Sequence, residues 1–171
     1  MGRRLAGGAP PRRPRTFPGA AAALSMVAVL LALRLWVLVP MTVVSDSMAP
    51  AVPLDGTVLT FTLGPALGGV HAGRLVVFDG PEDGGPVLKR VAATGGQSVA
   101  IRDAVLLVDG VPVSEPGVDR SRIDGTYFGP VTVPAGHVFV LGDNRAASID
   151  SRDYGSVDVS RIRATVLLPR L

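Results

Sequence analysis

Hydrophobic residues fall into two regimes along this chain. Residues 19–44 are apolar except for Arg34 and a few small hydroxyl residues, whereas the remainder alternates short Val-rich runs with Gly, Pro and Asp punctuation. The first regime is long enough for a transmembrane helix, since roughly 20 apolar residues span a bilayer. Pro40 is expected to end that helix, because its ring excludes the conformation and the donor that a helix interior needs. The second regime predicts strands, because β-branched residues pack well on a pleated surface while Gly, Pro and Asp favour turns. Strands are expected at 57–63, 74–78, 87–93, 98–102, 104–108, 131–133, 138–141 and 162–167. Asp109-Gly110, set between two apolar runs, predicts a tight hairpin.

At 171 residues the chain holds one compact domain plus an appendage, not two large domains. There is no cysteine, so disulfides and thiolate metal sites are excluded, and either redox compartment is tolerated. The formal charge of +3 reflects mainly Arg3, Arg4, Arg12, Arg13 and Arg15, which no acid opposes. Elsewhere the arginines are scattered among acids, which argues against a nucleic-acid surface. The positive-inside bias then orders the chain as a disordered basic cytoplasmic tail (1–18), a transmembrane anchor (19–42) and an extracytoplasmic domain (43–171). A cleaved signal peptide is the competing reading, but Arg34-Leu35-Trp36-Val37-Leu38-Val39-Pro40 offers no small-x-small cleavage pattern, which favours a retained anchor.

Of seventeen basic side chains only one, Lys89, is lysine, and it sits in the apolar run Val87-Leu88-Lys89-Arg90-Val91. Burying an ammonium costs several kcal/mol, so a buried lysine tends to become neutral and thereby a base. The alternative is an arginine-rich composition with one surviving lysine snorkelling to water. Just past the anchor stands Val43-Val44-Ser45-Asp46-Ser47-Met48-Ala49-Pro50. Pro50 imposes an extended or turn conformation on its predecessor, which is expected to face both serines the same way, one as nucleophile and the other as oxyanion donor. A plain polar linker outside the membrane fits the same composition.

Together, Ser-x-Ser-Met-x-Pro after a membrane anchor, Lys-Arg on a Val-rich strand about forty residues on, and Gly142-Asp143-Asn144-Arg145-Ala146-Ala147-Ser148-Ile149-Asp150-Ser151-Arg152 resemble the bacterial type I signal peptidases. The resemblance implies an all-β fold, an antiparallel catalytic domain with a small inserted cap (98–134) behind one N-terminal transmembrane helix. It implies Ser47 as nucleophile and Lys89 as general base, with the Ser45 hydroxyl joining the Ser47 backbone N–H in the oxyanion hole. Ser148 corresponds to the hydroxyl that orients the amine, Asp143 and Arg90 to a structural ion pair, Asp150 and Arg152 to scaffold contacts, and Met48 to packing beneath the nucleophile. No metal or cofactor is implied.

Three segments depart from the family pattern: Ala146-Ala147 where polar residues are usual, Arg74 before the Val-Val-Phe run where an acid is usual, and Gly95-Gly96-Gln97 where an acid again is lost. None is nucleophile, base or oxyanion donor. A Ser-His-Asp triad is the weaker reading, because His137 enters an apolar strand and His71 follows a Gly-rich loop. Two distant histidines without cysteine also argue against zinc. The expected partners are exported preproteins, cut after small-x-small motifs, the lipid bilayer and the secretion translocon. Two alternatives stand beside this: a specialised processing protease on the same fold, and an inactive membrane-anchored domain that binds secretory peptides.

Overall fold

The computed structural model describes residues 18–81, 84–118 and 127–167. The proposed basic tail, 1–18, lies outside them apart from its last residue. The chain opens with helix α1 (Pro18–Val37), whose described side chains from 19 to 36 are all exposed. Among the described residues no helix is long and apolar enough to cross a membrane.

Helix α1 ends earlier than Pro40 predicts. Leu38–Thr42 form strand β1, paired antiparallel with β2 (Thr57–Phe61) from Leu38↔Phe61 to Thr42↔Thr57. The sheet domain therefore begins at Leu38, and the boundary expected at residue 42 moves back. An apolar run does not by itself distinguish helix from strand. Val39, Thr42 and their neighbours prefer strand, and Pro40 is tolerated because β1 lies at the sheet edge.

The body is all-β and antiparallel. A seven-stranded sheet has the order β1-β2-β11-β3-β4-β9-β10, with β3 (Leu75–Asp79), β4 (Pro86–Thr94), β9 (His137–Leu141), β10 (Val157–Asp158) and β11 (Ile162–Leu167). A four-stranded sheet, β7-β6-β5-β8, is inserted between β4 and β9 and comprises β5 (Ser98–Arg102), β6 (Val105–Val108), β7 (Val111–Pro112) and β8 (Phe128–Thr132). It occupies the place expected for the cap. The hairpin of β6 and β7 pairs Val108 with Val111 around Asp109 and Gly110, both at positive φ (53° and 78°), as an Asp-Gly turn requires. Two short helices complete the fold, α2 (Gly64–Gly68) after β2 and α3 (Ser151–Tyr154) after β9.

Apolar alternation divides β3 between two cores. Leu75 and Val77 pack with Val43, Met48, Val58 and Leu88, whereas Val76 and Phe78 pack with Val91, Val138 and Val140. A third core joins the two sheets, where Val99, Ile101 and Leu106 meet Phe139 and Leu141. There the rings of Phe128 and Phe139 lie 5.4 Å apart, and Phe139 is 1% exposed. Replacing Phe139 with Ala is expected to cost about 3–5 kcal/mol of stability through lost burial and a residual cavity, measurable by denaturant titration of the detergent-solubilised chain.

Candidate active site

Strand β4 is paired on one side with β3 along residues 86–90, but β9 joins its other side only from Arg90, opposite Leu141. At Leu141 the β9 ladder stops and the chain turns away through Gly142. Lys89 is thus the first residue of β4 beyond the end of its neighbour. The space left open is a cavity of about 440 Å³ lined by Ser45, Ser47, Lys89, Leu88, Val43 and Ile149, among others.

Of the two forms expected for the serine segment, extended or turn, the chain takes the turn. Residues 45–50 make bends and turns rather than an extended strand, held by hydrogen bonds from Ala49 N to Asp46 O (3.0 Å) and from Val52 N to Met48 O (2.8 Å). The two hydroxyls nevertheless come together, with Ser45 Oγ 3.2 Å from Ser47 Oγ. Met48 is fully buried in the core below, anchoring the turn.

Lys89 is only 4% exposed. Burial pushes its ammonium below the ordinary value of 10.5; Asp150, Asp143 and Asp153 oppose that shift, and Arg152 adds to it. Desolvation is the largest effect, so the pocket favours the neutral amine.

The segment 142–152 closes the other wall. A Cβ at Gly142 would stand 2.2 Å from Ser148 Oγ and 2.7 Å from the carbonyl oxygen of Ser47, so the end of β9 lies directly against both serines. Ser148 Oγ is buried and makes no hydrogen bond. Asp150 is fully buried and accepts from Gly142 N (3.0 Å), from Arg152 N (3.2 Å), and from Arg152 Nε and a terminal guanidinium nitrogen (2.9 and 3.0 Å). Arg152 also donates to the Arg145 and Ser148 carbonyls (2.7 and 3.2 Å), so one carboxylate and one guanidinium shape the loop carrying Ser148. Arg90 and Asp143 form a bidentate pair (2.7 and 2.6 Å), and Arg90 also donates to the Gly73 carbonyl (2.9 Å). Charge-assisted, two-point contacts of this kind fix geometry as well as adding energy.

Sequence reasoning assigned no role to several residues that the structure places here. Asn144 clasps the serine turn, its backbone N donating to Ser47 O (3.0 Å) and its side-chain amide to Asp46 O (3.2 Å). Arg145 donates to the Gly142 carbonyl (2.9 Å) and pairs with Glu115 from the segment after β7, tying the small sheet to the site. Ser151 Oγ accepts from Val140 N (2.9 Å). Asn144, Arg145 and Ser151 lie inside the motif already quoted, but Glu115 carried no local signal. His71 is exposed near Arg74, and His137 bonds the Ala135 carbonyl at the start of β9; neither lines the cavity. Ala146 and Ala147 are exposed, and Ala147 contributes to the cavity wall.

The model of the signal peptidase family, peptidase S26, matches residues 19–170. Signal peptidase I of Bacillus licheniformis is 33% identical over 151 residues, covering 82% of this chain and 81% of that protein. Signal peptidase I of Mycobacterium tuberculosis is 45% identical over 84 residues, 43% of this chain but only 29% of that longer relative. A crystal structure of a signal peptidase I from Enterococcus faecalis V583 is 31% identical, with a TM-score of 0.49, over 57% of this chain and 96% of that one. The family model and the Bacillus licheniformis relative make the class that of a peptidase. The chain belongs to the signal peptidase family, peptidase S26.

Two outcomes test the site's construction. Gly142→Ala forces a Cβ into Ser148 and the Ser47 carbonyl, and is expected to cost about 1–3 kcal/mol by overpacking, read from denaturant midpoints. For Lys89, the unfolded chain holds a proton below 10.5 that the folded chain does not hold until its own lower value is reached. Wild-type stability therefore declines as pH falls through that interval and levels off below it. Lys89→Met removes the penalty, so its stability advantage should be absent above 10.5, grow through the same interval and persist at lower pH, as followed by thermal melts across pH.

Proposed function

We propose that this chain is a membrane-anchored serine endopeptidase that removes signal peptides from exported preproteins, with Ser47 as nucleophile and Lys89 as general base. The observation that carries this reading is the buried Lys89 amine, biased towards neutrality, lining one cavity with the paired hydroxyls of Ser45 and Ser47. Neutral Lys89 accepts the Ser47 proton as Ser47 Oγ attacks the scissile carbonyl. The Ser45 hydroxyl and the Ser47 backbone N–H stabilise the oxyanion that forms. The Lys89 ammonium then protonates the departing amine, and a water deprotonated by the same lysine releases the acyl group from Ser47. Ser148, whose buried Oγ faces Gly142 without a partner, orients the amine, and the pairs Arg90–Asp143 and Arg152–Asp150 hold the walls.

Substrate selection follows from the cavity's lining. Val43, Leu88, Ile149 and Ala147 give the cavity a largely apolar wall that suits apolar residues before the scissile bond, and the family resemblance supplies the preference for small ones. Strand β4 lacks a neighbour beside residues 86–89 on this side, which suits an extended peptide adding as a strand.

The anchor reading rests on the sequence, in which 19–44 is apolar but for Arg34 and a few small hydroxyl residues; α1 on its own is not long and apolar enough to cross a membrane, but its described side chains from 19 to 36 are exposed. Five arginines before it favour a cytoplasmic N-terminus and an extracytoplasmic catalytic domain, where preproteins emerge from the translocon. Nine residues lie between Val37 and Ser47, a reach of at most about 35 Å, so the nucleophile stays near the lipid surface.

Incubation of the detergent-solubilised chain with a preprotein bearing Ala-x-Ala tests the assignment. Ser47→Ala and Lys89→Ala should abolish product, whereas Ser45→Ala should slow turnover by about 10²–10³. In wild type, kcat/KM should rise with pH as Lys89 deprotonates and level off below 10.5, since burial lowers its pKa. No product from wild type and Lys89→Ala alike, where a known peptidase cuts the same preparation, sinks the enzyme and leaves a peptide-binding domain.

A further inference from the structure

Glu115 stands outside every motif that carries chemistry, yet its carboxylate ends at the catalytic segment. It lies in the stretch after β7, whose course is fixed on both sides. Val113 N donates to the Leu106 carbonyl of β6 (2.9 Å), and Val118 N donates to the Glu115 carbonyl (3.2 Å), closing a turn. Gly117 in that turn faces the large sheet, since a Cβ there would stand 3.7 Å from Ala51 Cβ and 3.8 Å from a terminal nitrogen of Arg90. The small sheet thereby touches the end of the serine turn and the residue next to Lys89.

The side chains of Glu115 and Arg145 are 7% and 3% exposed, so their ion pair is shielded from water. Arg145 gives a terminal nitrogen to Glu115 and its Nε to the Gly142 carbonyl (2.9 Å). A guanidinium is planar and rigid, so fixing one edge fixes the direction of the other. Gly142 is where β9 leaves its ladder, and it lies against the Ser47 carbonyl and Ser148 Oγ. Asp150 holds the amide entering Gly142 (3.0 Å) and Arg145 the carbonyl leaving it, so both peptide planes at this residue are fixed. Glu115 Oε2 is buried and makes no hydrogen bond, which leaves the carboxylate attached through Arg145.

We propose that Glu115 is a positioning residue for the peptidase reaction: through Arg145 it sets the Gly142 carbonyl, and with it the placement of Ser148 and the Ser47 turn around the Lys89 amine. This rests on the Ser47–Lys89 reading above. Without the carboxylate, the Arg145 charge is buried and unpaired among the described residues, and the guanidinium must turn towards another acceptor or towards water. Gly142 then loses the bond that fixes its outgoing peptide, and both serines shift with it. Nucleophile and base remain present, but their alignment is lost. Val43 and Leu88, which wall the substrate cavity, lie on other segments and keep their places. The defect therefore falls on turnover and spares substrate capture.

The test uses the detergent-solubilised full chain and an internally quenched peptide bearing Ala-x-Ala, with kcat, KM and Tm measured for each variant. Glu115→Ala is expected to lower kcat roughly 10- to 100-fold and to keep KM within about twofold, because a misplacement of about 1 Å can cost about 10²-fold in rate. Glu115→Gln keeps an acceptor of the same shape for Arg145 and should lose less than about fivefold in kcat. Val99→Ala hollows the core of the small sheet without touching these contacts, so it should lower Tm and keep kcat within about twofold. Should Glu115→Ala fail to fold, Glu115→Asp replaces it, since it only withdraws the carboxylate by one methylene. A folded Glu115→Ala or Glu115→Asp with the kcat of wild type overturns the proposal and leaves the peptidase reading standing. So does a Val99→Ala enzyme that loses as much kcat, since the effect would then be general loosening. Wild type without turnover overturns the peptidase reading and this proposal with it.

Discussion

The desolvation of one amine organises this structure. Lys89 is buried where β4 is flanked by β3 along its whole early length while β9 stops at Leu141, at the wall of the cavity that this leaves. Were β9 one or two residues longer on this path, its ladder would cover the position and close the cavity. Were it shorter, the amine would be hydrated and ordinary in its basicity. The chemistry of the site thus depends on where a strand stops pairing.

That stopping point is held by polar contacts rather than by apolar packing. Asp150 receives the Gly142 amide and Arg152, Asp143 receives Arg90, and Asn144 holds the Ser47 turn, all within one short segment. Buried polar groups of this sort are costly unless fully paired, and a network whose members satisfy one another specifies a single arrangement. Arginine is suited to the task, since its planar fork makes several directed bonds and stays charged where a lysine would shed its proton. The sole lysine sits where losing that proton is useful. The departures at Ala146 and Ala147 fall outside this network, at exposed positions, which is why the segment keeps its shape without polar side chains there.

The same logic links the helix to the catalytic edge. Thr62 ties the end of α1 to β2, β2 pairs with β11, and β11 supports both α2 and β3. The domain is therefore not suspended from α1 by a loose tether. The nine residues between Val37 and Ser47 include a hydrogen-bonded strand, and the distance between the helix and Ser47 is set by the sheet.

Local signals in the chain determined a good deal. Val-rich runs bounded by Gly and Pro located all the described strands but β1, β7 and β10 to within a few residues, and Asp109-Gly110 marked its hairpin, because strand propensity and turn chemistry act over neighbouring positions. The rarity of lysine, its apolar surroundings and the serine pair singled out residues whose side chains do line one cavity. The tertiary structure decided the rest. It assigned Leu38–Thr42 to an edge strand, since hydrophobicity reads alike in helix and strand until a partner such as β2 supplies the hydrogen bonds. It chose the turn over the extended form for the serine segment. It also brought Glu115 to Arg145 and Asn144 to Ser47 across long stretches of chain, contacts that depend on how strands are ordered in space and leave no trace in the residues on either side.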